Sequence, residues 1–456
     1  MTSAESRPRG RPGLLRRRPY LRRVWLSEIV SLLGDWMSLV AVSLLALGDG
    51  SGVVALALVM VGHHLPIALF APVAGVLADR LDRRWLLVVT SGVQGVLTLG
   101  MAGAVVLGSV AAVQVLVFVR ASVGALRFPV QSAVLRHVVE EDELLEANAI
   151  LSATWSVMLA VGMAAGGAIA ALGPTTALVL DAASFGLGAL LLGGLPPMVA
   201  EGRPAEGGVA RALVSVRRDL GLAWRHAWER PPLLAAVLAK TPVHLANGGA
   251  LILLNVVAAQ RAFAGTAALT LGLLQCVRGA GTGIGPLVGM ALVRRGVRGE
   301  VAAAAAAWTA FGGIAALALT RHWAALLAVA FVWGLGSGAN WVLSSSELQR
   351  LSPDRFVGRL SAVDNLALTL GLCATMLGGA VVAERIEAPA SAAWIGLGAG
   401  VLAWIGVEWM LRRRAAATGA AELGATGLAS PREAEEAGAS VAPETELSLP
   451  PETERR

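Results

Sequence analysis

The sequence predicts an all-α membrane protein with twelve transmembrane helices in two six-helix pseudo-repeats. Three observations lead there. Of 456 residues, 56% are hydrophobic and only 15% charged, against about 25% charged in a soluble domain; mean hydropathy is +0.68. The apolar residues come in continuous runs near the ~20 residues that cross ~30 Å of hydrocarbon as helix, not in the alternating ten-residue segments of a barrel. The basic residues gather at the ends of those runs, overwhelmingly on one side.

In chain order, residues 1–23 are basic and rich in Gly and Pro, and read as a disordered cytoplasmic arm. Arginines ahead of an apolar run imitate a signal peptide. The run is too long for one, lacks a small-residue cleavage site and precedes many more, so it is the first span, retained. Spans are predicted at 24–47, 53–76, 85–107, 110–133, 147–171, 174–195, 232–257, 266–292, 301–320, 323–345, 361–384 and 389–411. The Pro/Gly/charged segment 196–231 reads as a cytoplasmic linker holding a short amphipathic helix over 210–229. It separates a bundle at 24–195 from one at 232–411. The tail, 412–456, with its acidic run Glu433, Glu435 and Glu436, is too polar to bury a core and reads as disordered.

Thirty Arg fall on the side of the N-terminus and three, Arg261, Arg321 and Arg385, on the other. The positive-inside rule then puts both termini in the cytoplasm and supports an even number of spans. It also accounts for the basic balance without nucleic acid. Pro72, Gly75 and Arg80 recur as Pro286, Gly289 and Arg294 at an offset of 214; Gly124 recurs as Gly338 at the same offset, and Gly166-Gly167 as Gly378-Gly379 at 212. These echoes argue for an internal repeat of the kind found in transporters that rock one half against the other.

Charges inside the spans are functional candidates by default. Asp35 lies halfway along the first, with Glu28 seven residues earlier on the same face, and together they form a candidate proton path; the alternative is a permanently paired Asp35. Arg120, Lys240 and Arg278 are intramembrane cations. The last two either attract an anionic group in a substrate cavity or find partners such as Asp364. Arg127 reads as a snorkelling end residue. His63-His64 is either part of a proton relay or a satisfied pair, and Asp181 lies in the outer part of the sixth span. Most of the 13 Trp sit near span ends; Trp36 and Trp155 do not, and are candidates to stack on a flat substrate. Gly124, Gly162, Gly166, Gly167, Gly378 and Gly379 permit close helix contact. Cys276 and Cys373 have no metal spacing and imply no disulfide framework. Residues 281–285, Gly-Thr-Gly-Ile-Gly, lie inside a span and read as a packing motif, not a phosphate cradle. No cofactor is called for, and the expected partners are a small-molecule substrate, protons and the bilayer, with the chain a monomer.

Between the second and third spans, residues 75–84 read Gly-Val-Leu-Ala-Asp-Arg-Leu-Asp-Arg-Arg, five charges in six residues that must face water. Gly75, Leu77, Ala78, Asp79, Arg80, Arg83 and Arg84 resemble the loop signature of the major facilitator superfamily, with Asp82 where that family usually has Gly. Leu116, Arg120 and Gly124 resemble the fourth-helix motif of drug:proton antiporters, with Val123 where Gln is common. Gly162, Gly166 and Gly167 resemble the fifth-helix antiporter motif without its Pro. Ser31–Trp36, Phe128-Pro129, Glu146-Ala-Asn148 and Gly358-Arg359 resemble the branch of enterobactin and macrolide exporters. The resemblance implies alternating access in a bacterial inner membrane, and by placing the sixth helix at the bundle periphery it makes Asp181 structural. It makes Asp79 a cytoplasmic latch to the start of the eleventh helix beside Arg359, and Arg120 a neighbour of Asp35 with which it couples protons or forms a static pair. Proton-driven efflux of an amphipathic drug, siderophore or secondary metabolite is the reading it favours. A gradient-independent facilitator or importer, and a non-transporting sensor or scaffold acting through the tail, are the alternatives.

Overall fold

The computed structural model describes residues 13–48, 52–78, 81–198, 209–353 and 356–425. They fold almost wholly into helices: α1 Leu14–Arg17, α2 Pro19–Gly48, α3 Gly52–Ala78, α4 Arg83–Val106, α5 Val110–Gly124, α6 Arg127–Val138, α7 Leu144–Ala170, α8 Pro174–Gly193, α9 Val209–Trp228, α10 Pro231–Leu238, α11 Thr241–Arg261, α12 Ala267–Arg294, α13 Gly299–Leu319, α14 Trp323–Leu351, α15 Val357–Arg385 and α16 Ala390–Ala425. Among the described residues, twelve stretches are long and apolar enough to cross a membrane, with α5 and α6 making one and α10 and α11 another.

Both divided spans break at a proline. A proline ring clashes with the carbonyl four residues earlier and lacks the N–H to bond it. Pro129 acts on Ala125, just after α5 ends, and Pro242 acts on Leu238, where α10 ends. The apolar runs alone predict a single unbroken helix at each place. Elsewhere polar residues cap the entries. Asp82 accepts from the Trp85 N–H at 3.2 Å to start α4, Ser109 accepts from Ala112 at 3.3 Å to start α5, and Thr266 accepts from Leu269 at 3.1 Å to start α12. Asp82, the departure from the loop signature, is therefore a helix cap.

Three apolar clusters define the packing. The largest joins α2, α3, α4, α5, α7 and α8 to α11, α12, α13, α14, α15 and α16, and every member lies in the mid-to-far part of its span, toward the arginine-poor ends. Toward the arginine-rich ends the core divides in two. One cluster holds α1, α2, α4, α6, α7 and the end of α8; the other holds α9, α10, α14 and α15. The two sets of helices thus share a core at the far end and keep separate cores at the arginine-rich end.

Two expected segments are more ordered than the sequence suggests. Residues of the basic arm from Leu14 on form α1 and the start of α2, because Glu140 and Glu143 supply carboxylates for it: Arg17 and Arg18 reach Glu143 at 2.8 and 2.7 Å, and Arg18 also pairs with Glu140. At the other end, α16 runs to Ala425 through strong helix formers. From Gly406 the chain forms a separate compact unit, in which Glu408 pairs with Arg412 at 3.0 Å and the Arg413 guanidinium lies 3.9 Å over Trp409.

Candidate functional site

Near the middle of α2 and α8 and in the last third of α5, three charged side chains meet. Arg120 Nη1 lies 2.7 Å from Asp181 Oδ2 and 3.1 Å from Asp35 Oδ1. The Arg120 side chain is 5% exposed, Asp181 fully buried and Asp35 28% exposed. The Arg120 guanidinium also lies over the Phe185 ring at 5.6 Å, a cation–π contact. Gly34 makes the approach possible, since a Cβ there would collide with the side chains of Asp181 and Ser184. Ser184 Oγ in turn donates to the Asp181 carbonyl at 2.7 Å. With both carboxylates ionised, two facing one guanidinium would leave the cluster one negative charge in excess.

Asp181, expected to be structural, stands within α8, buried, as the closest anion to Arg120. The signal is present in the sequence, because an isolated acid in hydrocarbon is a functional candidate, and the rule that selects Asp35 applies equally to Asp181. Glu28 pairs with Arg127 at 2.9 Å beside a cavity of about 10 Å³. Arg127 is accordingly a partly buried partner of Glu28 and not a free snorkelling end, with side chains 17% and 15% exposed.

In the second half, Lys240 takes the second of its two expected places: its ammonium is bound by Asp364 of α15 and not left open toward a substrate cavity, the two side chains 5% and 1% exposed, because an isolated buried charge is costly to leave uncompensated. Trp341 covers the ammonium at 4.9 Å and His244 lies 5.4 Å from the Trp341 ring. Arg278, in α12, has no carboxylate within salt-bridge distance among the described residues. Its Nε donates to Gln275 at 2.6 Å and its guanidinium lies over Trp333 at 5.1 Å; Trp333 is fixed by donating to Asn247 at 2.7 Å. His64, packed on His63 at 5.0 Å, lies within electrostatic reach of His244 and Arg278. Trp36 and Trp155 meet edge to face at 6.2 Å.

Among the glycines, a Cβ at Gly162 would come within 2.8 Å of the Trp36 ring, and one at Gly166 within 2.9 Å of Met37 Cα, so both seat α7 on α2. Gly167 faces Gly272 of α12, and a Cβ on either would stand less than 3 Å from the other's backbone; this contact closes α7 on α12 at the far end. Gly124 abuts the Gln94 side chain and Gly379 packs against Ala392. Gly378 has nothing within 4 Å of a Cβ, so its expected packing role is not seen; it faces away from its helical neighbours.

Asp79 and Arg80 of the loop signature lie outside the described residues, and Gly75 falls in the last turn but one of α3. Arg83 contacts His137 at 3.0 Å and Arg84 donates to the Gly193 carbonyl at 2.5 Å, which ties the loop to α6 and α8. Arg359, expected beside the latch, pairs with Asp219 of α9 at 3.1 Å. At the far end, and unforeseen, Glu384 near the end of α15 accepts from the Val54 N–H in the first turn of α3 at 2.8 Å.

The family described as "Transmembrane secretion effector" matches residues 15–434. A relative from Bacillus subtilis (strain 168), carrying the name "Uncharacterized MFS-type transporter YfiS", is 26% identical over 391 residues, 82% of this chain and 89% of the relative. Among solved structures, the nucleoside transporter NupG superposes with a TM-score of 0.70 at 11% identity, covering 86% of this chain and 99% of that one. A bacterial homologue of the iron transporter ferroportin in its inward-facing state gives 0.66 at 15% identity over 88% and 100%. A peptide transporter in complex with sulfate gives 0.68 at 16% identity over 88% and 96%. At these identities the structures establish the fold. With the family match over nearly the whole chain, they make this protein a major facilitator transporter belonging to the transmembrane secretion effector family.

Proposed function

We propose that the protein is a proton-coupled exporter of an amphipathic small molecule, working by alternating access from the cytoplasmic membrane with both termini inside. The observation that carries this is the cluster of Asp35, Arg120 and Asp181 at mid-depth, where two carboxylates share one guanidinium. Its excess negative charge is a place for one proton. Asp35, the more exposed carboxylate, exchanges the proton with the aqueous side, and Asp181 keeps Arg120 anchored when Asp35 is neutral. A protonated Asp35 loosens α2 from α5 and changes the relative stability of the inward- and outward-facing forms. A common core at the arginine-poor end and divided cores at the other correspond to the inward-facing member of that cycle when the positive-inside rule sets the orientation. Glu384 on the first turn of α3, and Gly167 against Gly272, hold the outer end shut.

Everted membrane vesicles test the reading. An imposed pH gradient should drive uptake of an amphipathic dye into vesicles containing the wild type, and Asp35→Asn and Asp181→Asn should each abolish the drive. Full gradient-driven transport by both variants would remove the assigned role. Accumulation that follows the dye gradient alone would favour the facilitator reading.

A further inference from the structure

The charges within the spans do not cancel locally. Arg127 is matched by Glu28, and Lys240 by Asp364. Arg120 is over-matched, by Asp35 and Asp181 together. Arg278 is matched by no carboxylate among the described residues. The first half therefore carries an unbalanced negative charge at mid-depth and the second half an unbalanced positive one.

Arg278 is built as a receptor and not merely left over. Gln275, itself buried, holds Nε, and the fully buried Trp333 supports the guanidinium face. Asn247 locks the Trp333 ring, and Ser337 also donates to Asn247 at 3.4 Å. Orientation is thus set by three helices, α11, α12 and α14, while neither Nη group has a protein acceptor among the described residues. His64 of α3 lies within electrostatic reach of Arg278, and an imidazole offers no negative charge. A planar fork held at Nε with both Nη groups free matches the two oxygens of a carboxylate, phosphonate or sulfonate.

We propose that Arg278 is the recognition site for an oxyanion on the transported molecule, which makes the substrate class an amphipathic organic anion. The assignment rests on the transporter reading above. The division of labour follows from the charge count: the proton neutralises the excess anion of the first half, and the substrate neutralises the excess cation of the second. Each half then reaches its own neutral state, and the two ligands bind at separate groups.

The test is equilibrium binding to the full-length protein in phosphatidylcholine nanodiscs, without any pH gradient, so that it is independent of proton coupling. The probes are naphthalene-2-sulfonate, the neutral naphthalene-2-methanol and the cationic 2-naphthylmethyl-trimethylammonium, followed by dialysis and by thermal shift. The wild type should favour the sulfonate over both analogues by at least about tenfold. Arg278→Gln should lose that preference while binding the neutral alcohol as before. Arg278→Lys, which keeps the charge without the fork, should fall between and serves if the Gln variant does not purify. A wild type without anion preference, or a preference that survives in both variants, overturns the assignment. Loss of gradient-driven transport in the Asp35 and Asp181 variants with sulfonate binding intact would leave it standing.

Discussion

Replacing Arg120 with Leu removes the cation that two buried carboxylates share. At separations of 2.7 and 3.1 Å and an effective dielectric of about 20, Coulomb's law gives attractions of roughly 6 and 5 kcal/mol. Desolvation of the three groups offsets most of this, and measured costs of breaking a buried pair by removing one partner are about 3–5 kcal/mol. Asp35, at 28% exposure, recovers some hydration, whereas Asp181 has none to recover, so the expected loss lies toward ~3 kcal/mol. The assay is reversible unfolding of the purified protein in mixed micelles by SDS titration. A triple variant, Asp35→Asn with Arg120→Leu and Asp181→Asn, should recover most of the loss, because the uncompensated charges go with their partner. Stability of Arg120→Leu within ~0.5 kcal/mol of wild type, the range of an ordinary surface change, would refute the reasoning, as would a triple variant no better than the single.

Three further outcomes follow from the geometry. Glu384→Gln weakens the carboxylate contact at the first turn of α3, worth ~0.3–1 kcal/mol; with Gly272→Val, which pushes a side chain into Gly167, it should open the far end and raise maleimide labelling of the buried Cys373 in a Cys276→Ser background. Unchanged labelling in both variants would contradict the closure assigned to these contacts. Asp82→Ala should cost ~1 kcal/mol and Asp82→Gly only a few tenths, since Gly is a tolerated cap, read by the same unfolding assay. Asp219→Asn breaks a half-exposed pair with Arg359 and should shift stability by less than ~1 kcal/mol; a larger loss would show that α9 is anchored far more firmly to α15 than this contact allows.

What is legible in the chain is whatever depends on neighbours in sequence. The spans are visible as apolar runs because hydrocarbon sets their length. The breaks at Pro129 and Pro242 are equally local, but the apolar runs continue through them and hide them. The cation sites are visible as charges out of place, yet their partners are not: Asp364 is 124 residues from Lys240 and Asp181 is 61 from Arg120, and no periodicity links them. Asp181 is discounted only if an assumed position in the bundle outweighs the rule that picks out Asp35. The Glu384 contact joins residues 330 apart, and a glutamate at a span end looks like any other solvated charge. Gly166, Gly167, Gly378 and Gly379 look equivalent as repeats. Packing separates them, since Gly167 meets the α12 backbone and Gly378 meets nothing.

The central claim is that the Asp35–Arg120–Asp181 cluster holds a transported proton. The most direct measurement is proton uptake by the purified protein in nanodiscs after a rapid drop in pH, read with a soluble indicator dye and compared among wild type, Asp35→Asn and Asp181→Asn. The account predicts that the wild type takes up a proton that neither variant does, because one carboxylate against one guanidinium leaves no excess charge to neutralise. Equal uptake by all three would contradict it.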